Sequence, residues 1–173
     1  MDAHYRTATI ADAAMLADLG RHTFTETFGH LYKPEDLAAF LATHTEERWR
    51  TELGNPAFQV LIAKAGGEAI AYAKLGSPSL PFEPEGAAIE LRQFYVLKPW
   101  QGQGVAQQLM QWVLDEAKAS GADELYLSVF TDNHRARRFY EGYGFRFVRT
   151  YAFMVGNHAD EDHILRLDLK DME

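Results

Sequence analysis

The chain of 173 residues contains no cysteine. This absence excludes disulfides, thiolate metal ligands and a cysteine nucleophile in one step. Positive charge is also short: 17 Lys and Arg stand against 25 Asp and Glu, a formal net charge of −8. Nucleic-acid binders carry a basic surface, so no nucleic-acid partner is expected. Long apolar runs are missing too. None approaches the roughly 20 residues that span a bilayer, so no membrane partner is expected. The start, MDAHYRTATIADAA, has no basic segment followed by an apolar one. Without that export signature a cytoplasmic location is expected. Prolines number six, and three of them fall in SPSLPFEPEGA, residues 77–87. That stretch reads as a loop.

What remains is a composition that packs. Hydrophobic residues make up 47%, with 11 Phe, 8 Tyr and 3 Trp. No repeat, linker or low-complexity tract divides the chain, so residues 1–173 read as one domain with one sizeable core. Residues 5–10 suit a short strand. ATIADAAMLADLGRHTFTETFG, residues 8–29, then reads as a helix, with Thr9 as its cap and Asp12 three residues later. Pro34 opens a second helix over PEDLAAFLATHTEERWRTEL, with Leu37, Phe40, Leu41 and Trp49 as its inner face. AFQVLIAKA and EAIAYAKLG are strands around a Gly66-Gly67 hairpin turn. AIELRQFYVL is a fourth strand, residues 104–119 a third long helix, and ELYLSVF a fifth strand. Asn133 is placed to cap a short helix. FRFVRTYAFMV and HILRLDL form a last strand pair around a polar turn, GNHADED. The order is strand, two helices, three strands, helix, strand, helix, two strands. It specifies an α+β, or mixed α/β, domain around one central sheet.

One turn stands out. LKPWQGQGVAQQLM, residues 97–110, places Gly102 and Gly104 where a strand gives way to an amphipathic helix. The first amides of a helix lack intrahelical partners, and the helix dipole adds partial positive charge there. Glycines let a bulky anion approach. A phosphate cradle and an unliganded tight turn are equally open on the glycines alone. The nucleotide P-loop needs Lys-Ser or Lys-Thr after its last glycine, where Val105-Ala106 stand. The dinucleotide motif needs a third small residue where Gln107 stands, and the preceding strand carries Glu90, Arg92 and Gln93.

Gln101-Gly102-Gln103-Gly104-Val105-Ala106 resembles the Q/R-x-x-G-x-G/A acyl-CoA motif of the GNAT superfamily of N-acyltransferases. NHRARRFYEGYGF, residues 133–145, resembles the family's N-x-x-A-x-x-F/L-Y-x-x-x-G-F block, with Asn133, Ala136, Phe139, Tyr140, Gly144 and Phe145 in register. The element order agrees as well. The resemblance implies a GNAT-like single domain. Its sheet would be mostly antiparallel, of about seven strands with one splayed parallel pair, flanked by about four helices. It implies acetyl-CoA as co-substrate, with backbone groups of Phe94, Tyr95 and Val96 facing the pantetheine arm. Amides of Gly102, Gln103, Gly104, Val105, Ala106 and Gln107 would cradle the pyrophosphate, and Asn133 would touch the cofactor or an ordered water. Gln101 and Gln103 replace basic residues common in relatives, so binding leans on backbone amides. Lys98, Arg135 and Arg138 are expected on the solvated surface.

The resemblance also implies roles in chemistry. Tyr140 matches the family's general acid. Some relatives that acetylate protein N-termini carry a glutamate on the fifth strand, five residues before the asparagine; here that position is Ser128. Glu90, on the fourth strand, is the remaining choice of base, with a water-facing edge charge as its alternative. Residues 21–41 resemble the same region of bacterial polyamine acetyltransferases. This points to Phe28 and Tyr32, with Phe24, Glu26 and His30, around the acceptor. The expected activity is acetyl transfer to a primary amine of a small molecule, a polyamine among the choices. Protein or peptide acetylation and a non-catalytic acetyl-CoA sensor are the alternatives, and the assembly stays open between monomer and homodimer. No metal is expected: the spacing of His158, Asp160, Asp162 and His163 matches no standard site and reads as a solvated hairpin tip.

Overall fold

The computed structural model describes residues 2–81 and 83–171. In chain order it contains β1 (His4–Thr7), α1 (Ala13–Phe28), α2 (Pro34–Leu41), α3 (Glu46–Leu53), β2 (Gln59–Ala65), β3 (Glu68–Gly76) and β4 (Ala88–Val96). There follow α4 (Val105–Ala119), β5 (Glu124–Phe130), α5 (His134–Gly142), β6 (Arg146–Val155) and β7 (His158–Asp168). The strands form one seven-stranded sheet in the order β1-β2-β3-β4-β5-β7-β6. Every pairing is antiparallel except β4 with β5.

Both faces of the sheet are covered. On one, α4 sets Val105, Leu109, Met110, Val113 and Ala117 against Leu91, Leu125, Leu127 and Leu165. On the other, Leu16, Leu19 and Trp49 from α1 and α3 pack on Val60, Ile62 and Tyr72. Strand β3 lies between these layers and is buried from Ile70 to Gly76. A strand covered on both sides reads as a continuous apolar run, and IAYAKL is one except for Lys74. The Lys74 ammonium is satisfied by Glu52 at 2.7 Å and lies 4.5 Å from the centre of the Trp49 ring.

Three segments differ from the sequence reading. The first strand, read over residues 5–10, ends at Thr7, and a 3-10 turn over Ile10–Asp12 precedes α1. The expected second helix is two helices. Thr45 interrupts it by taking extended backbone and accepting a hydrogen bond from the Arg48 amide, so it caps α3. Asp and Thr side chains compete with helical bonds in this way. The separation leaves Trp49 buried in the core, while Leu37, Phe40 and Leu41 are only half-buried. The expected polar turn is also much shorter: it spans only Gly156-Asn157, and β7 begins at His158. Gly156 has φ 58°, and a Cβ there would come within 2.7 Å of the Asp36 backbone on α2. The Asn157 amide donates to Asp36 Oδ1 at 3.0 Å. This clasp seats α2 beside β6.

Among the described residues, no helix is long and apolar enough to cross a membrane.

Candidate active site

The parallel strands β4 and β5 pair only from Ala88 to Glu90 and from Glu124 to Tyr126. Beyond that point they part. A cavity of about 360 Å³ opens between them, walled by Leu91–Val96 of β4 and Leu127–Phe130 of β5. The expected splay of these two strands is therefore present, and Phe94, Tyr95 and Val96 line it. The Val96 carbonyl accepts from Gln101 Nε2 at 3.1 Å.

One mouth of the cavity is the glycine turn. Gly102 and Gly104 have φ values of 77° and 87°, which L side chains rarely adopt. A Cβ on Gly104 would meet open space, so the backbone conformation, not packing, requires glycine there. No side chain caps the start of α4. Its first amides thus have no side-chain partner among the described residues. Gly102, Ala106 and Gln107 border the cavity; Gln103, Gly104 and Val105 form the turn behind them. Gln103 braces the turn through Nε2 to the Pro99 carbonyl at 2.7 Å.

All three cations expected on the solvated surface are exposed; Lys98 and Arg135 also border the cavity, and Arg138 does not. The Arg135 guanidinium lies 3.7 Å from where a Gly102 Cβ would stand. These groups fit a coenzyme A diphosphate: unpartnered amides, open space and an adjacent guanidinium.

Asn133 does cap α5, accepting from the Ala136 amide at 3.3 Å, and it also faces the cavity. Two helical turns later comes Tyr140. Its ring packs edge-on against Phe94, Phe139 and Phe145. Burial, with a smaller contribution from Tyr95, pushes its phenol well above the usual value. It is therefore a protonated donor at neutral pH. No side chain or carbonyl among the described residues bonds its hydroxyl, which keeps contact with the cavity.

The other mouth is aromatic and acidic. Phe28 and Tyr32 both line it, with Phe24, Phe130 and Phe153. Phe24 stacks on Tyr32 at 5.9 Å, and Phe28 meets Phe130 edge-on at 6.1 Å. Glu26 instead receives the Lys98 amide at 3.3 Å and ties α1 to the strand–helix turn. His30 is exposed outside the cavity.

Two carboxylates missed by the sequence reading complete this end. Asp160 and Asp162 were expected on a solvated tip, yet they are strand residues, 7% and 6% exposed, in the cavity wall. The Tyr32 hydroxyl donates to Asp160, and His158 Nε2 lies 3.1 Å from it. Burial, then the neighbouring Asp160, pushes the Asp162 carboxyl up to about 7, against the pull of the Ser128 hydroxyl. The missed signal was period two. Asp160, Asp162, Ile164 and Arg166 continue one alternating row, and the polar residues hid the start of the strand.

Glu90 is the converse case. It is 5% exposed, so it is not a water-facing edge charge. Nor is it brought to Tyr140. It lines a second cavity of about 260 Å³ that shares Arg92, Gln93, Tyr95, Ser128 and Phe153 with the first. There its carboxylate accepts from the Ser79 amide at 2.7 Å and lies 3.6 Å from Arg92. Among the described residues no group of three or more His, Asp or Glu side chains is arranged to hold a metal ion.

Residues 18–145 match the family described as the acetyltransferase (GNAT) family. An uncharacterized N-acetyltransferase of Mycobacterium bovis is 31% identical over 161 residues, 92% of this chain and 99% of its own length. The chain belongs to the GNAT family, and it is an N-acetyltransferase. Among solved structures, the PaiA N-acetyltransferase from Thermoplasma acidophilum, determined in complex with coenzyme A, superposes with a TM-score of 0.77. It does so at 19% identity, over 97% of this chain and 99% of that one. The yncA protein of Salmonella typhimurium, determined with its cofactor acetyl-CoA, superposes with a TM-score of 0.70 at 20% identity. That match covers 100% of this chain and 97% of its own. These two likenesses establish the mixed α+β GNAT fold.

Proposed function

We propose that the protein transfers the acetyl group of acetyl-CoA directly to a primary amine of a small molecule, and that the acceptor is cationic and polyamine-like. One observation carries this reading. A single cavity joins the uncapped start of α4, the Tyr140 hydroxyl and an aromatic, acidic mouth at Phe28, Tyr32 and Asp162. An anion-binding end and a cation-binding end thus meet at a proton donor.

Each end answers a physical demand. The amides of Gly102 through Gln107 and the Arg135 guanidinium hold the diphosphate, and β4 lends backbone groups of Phe94, Tyr95 and Val96 to the pantetheine arm. Acetyl-CoA supplies an electrophilic thioester carbonyl. An alkylamine with a lysine-like pKa near 10.4 is protonated at pH 7; making it neutral there costs about 4–5 kcal/mol. The acidic mouth attracts the ammonium form, and the aromatic walls hold its carbon chain. The departing thiolate, with a pKa near ~8.5, needs a proton, which the Tyr140 hydroxyl provides. The amine attacks the thioester directly, the usual route of the family, and no cysteine is present to form a thioester with the enzyme.

The experiment is free-thiol release from acetyl-CoA across polyamines, amino acids, aminoglycosides and N-terminal peptides. Release led by the polyamines is the expected outcome. A response confined to peptides would move the acceptor to protein. Coenzyme A binding without release on any amine would make the protein a sensor.

A further inference from the structure

We infer that Asp162 on β7 is the general base of this reaction, taking a proton from the acceptor ammonium in the cavity that also holds Tyr140; this rests on the function proposed above. The other buried carboxylates are each satisfied by protein groups. Asp12 is held by Arg6 and the Thr9 amide, Glu52 by Lys74, and Glu90 by Ser79 and Arg92. Glu124 accepts from the amides of Glu85 and Gly86, and Asp160 is engaged by Tyr32 and His158. Asp162 has no ion pair among the described residues and only the Ser128 hydroxyl in support. A carboxylate at 6% exposure, with no cation and a wall position in a ligand cavity, is under-satisfied where a cationic substrate would complete it.

Its surroundings suit the role. The groups facing it are Asp160 on β7, Tyr95 on β4, Tyr151 on β6, Tyr32 after α1 and Ser128 on β5. The tyrosines stay neutral because burial raises each of them. Asp160 adds negative charge, and among the described residues no cation faces the carboxyl directly. Asp162 is therefore poised near 7, where a base is both available and strong enough at neutral pH.

The protons balance. The Asp162 carboxylate takes one proton from the ammonium, and the freed lone pair forms the N–C bond. The C–S bond breaks, and the Tyr140 hydroxyl protonates the sulfur. The second nitrogen proton, shed as the amide forms, restores Tyr140, and Asp162 passes its proton to water. The sum is ammonium plus acetyl-CoA giving amide, coenzyme A and one proton.

The test is kcat/KM for spermidine at saturating acetyl-CoA, from pH 5 to 10, in wild type, Asp162→Asn and Ser128→Ala. Wild type should break near pH 7 and level above it. Asp162→Asn should fall about a hundredfold at pH 7 and climb without that break toward the amine's own pKa. Ser128→Ala keeps the carboxylate but loses its supporting hydroxyl, so its break should move to higher pH. Carbon-13 titration of the Asp162 carboxyl needs no acceptor and should show a midpoint near 7. A midpoint near 4, or an Asp162→Asn profile that keeps the break, overturns the assignment while leaving the transferase reading intact. Wild-type protein that releases no thiol with any amine overturns both.

Discussion

Replacing Asp162 with Asn should stabilise the protein, and by an amount that depends on pH. The folded carboxyl titrates at about 7, against ~3.9 in an unfolded chain. That is a difference of about 3 units, or about 4 kcal/mol at roughly 1.4 kcal/mol per unit. Between pH 4 and pH 7 the native state holds this proton and the unfolded state does not. Stability therefore falls as pH rises through that window. Below pH 4 both states are protonated and the penalty vanishes; above pH 7 it is fully present. Asn has no charge to desolvate and still accepts from Ser128. The variant should gain about 1–2 kcal/mol over wild type at pH 5 and about 4 kcal/mol at pH 8. At about 2–4 °C per kcal/mol for a domain of this size, Tm at pH 8 should rise by about 8–16 °C. Thermal unfolding followed by circular dichroism at pH 5, 6, 7 and 8 reads this directly. Carboxylates remote from Asp162 cancel in the difference between the two proteins; Asp160, which acts on it directly, does not. A gain equal at pH 5 and pH 8, or a loss at both, would refute the claim that this carboxylate is desolvated without a counter-charge. A residue that weakens the free protein and is kept at a cavity wall fits the trade between stability and function.

Three further outcomes follow from particular contacts. Tyr140→Phe keeps the ring packing against Phe94, Phe139 and Phe145 and removes only the donor. Turnover at saturating acetyl-CoA should fall about tenfold or more, and unchanged turnover removes the acid role. Glu52→Ala leaves the Lys74 ammonium buried with no counter-charge among the described residues, against the Trp49 and Phe58 rings and within reach of the like charges of Arg92 and Arg48. Urea unfolding should show a loss of about 3–5 kcal/mol, and adding Lys74→Met should recover most of it. Arg135→Ala should weaken coenzyme A binding about fivefold in calorimetry at low salt, with little difference from wild type at high salt. Equal affinity at low salt would place Arg135 outside the diphosphate site.

Elements were legible wherever local chemistry specified them. EAIAYAKLG became β3 with both its bounds as read, and ELYLSVF became β5 likewise. Thr45 shows the limit of such reading: a cap inside a helical pattern splits it, and periodicity does not register a cap. The glycine turn and the Asn133-to-Phe145 block were legible because each lies within a few residues of chain. Backbone conformation at Gly102 and Gly104, and the cap at Asn133, are local properties. The environment of a carboxylate is not. Glu90 stands between Ile89 and Leu91, Asp160 between Ala159 and Glu161, and Asp162 between Glu161 and His163, and none of these neighbours states the carboxylate's environment. Tertiary structure separated the three carboxylates. The loop at Ser79 and the Arg92 side chain engaged Glu90, Tyr32 engaged Asp160 from 128 residues away, and the parting of β4 from β5 left Asp162 at the cavity wall. Desolvation and charge act through space, so a proton affinity is decided by which distant segments meet, whereas a turn or a cap is decided by neighbours along the chain.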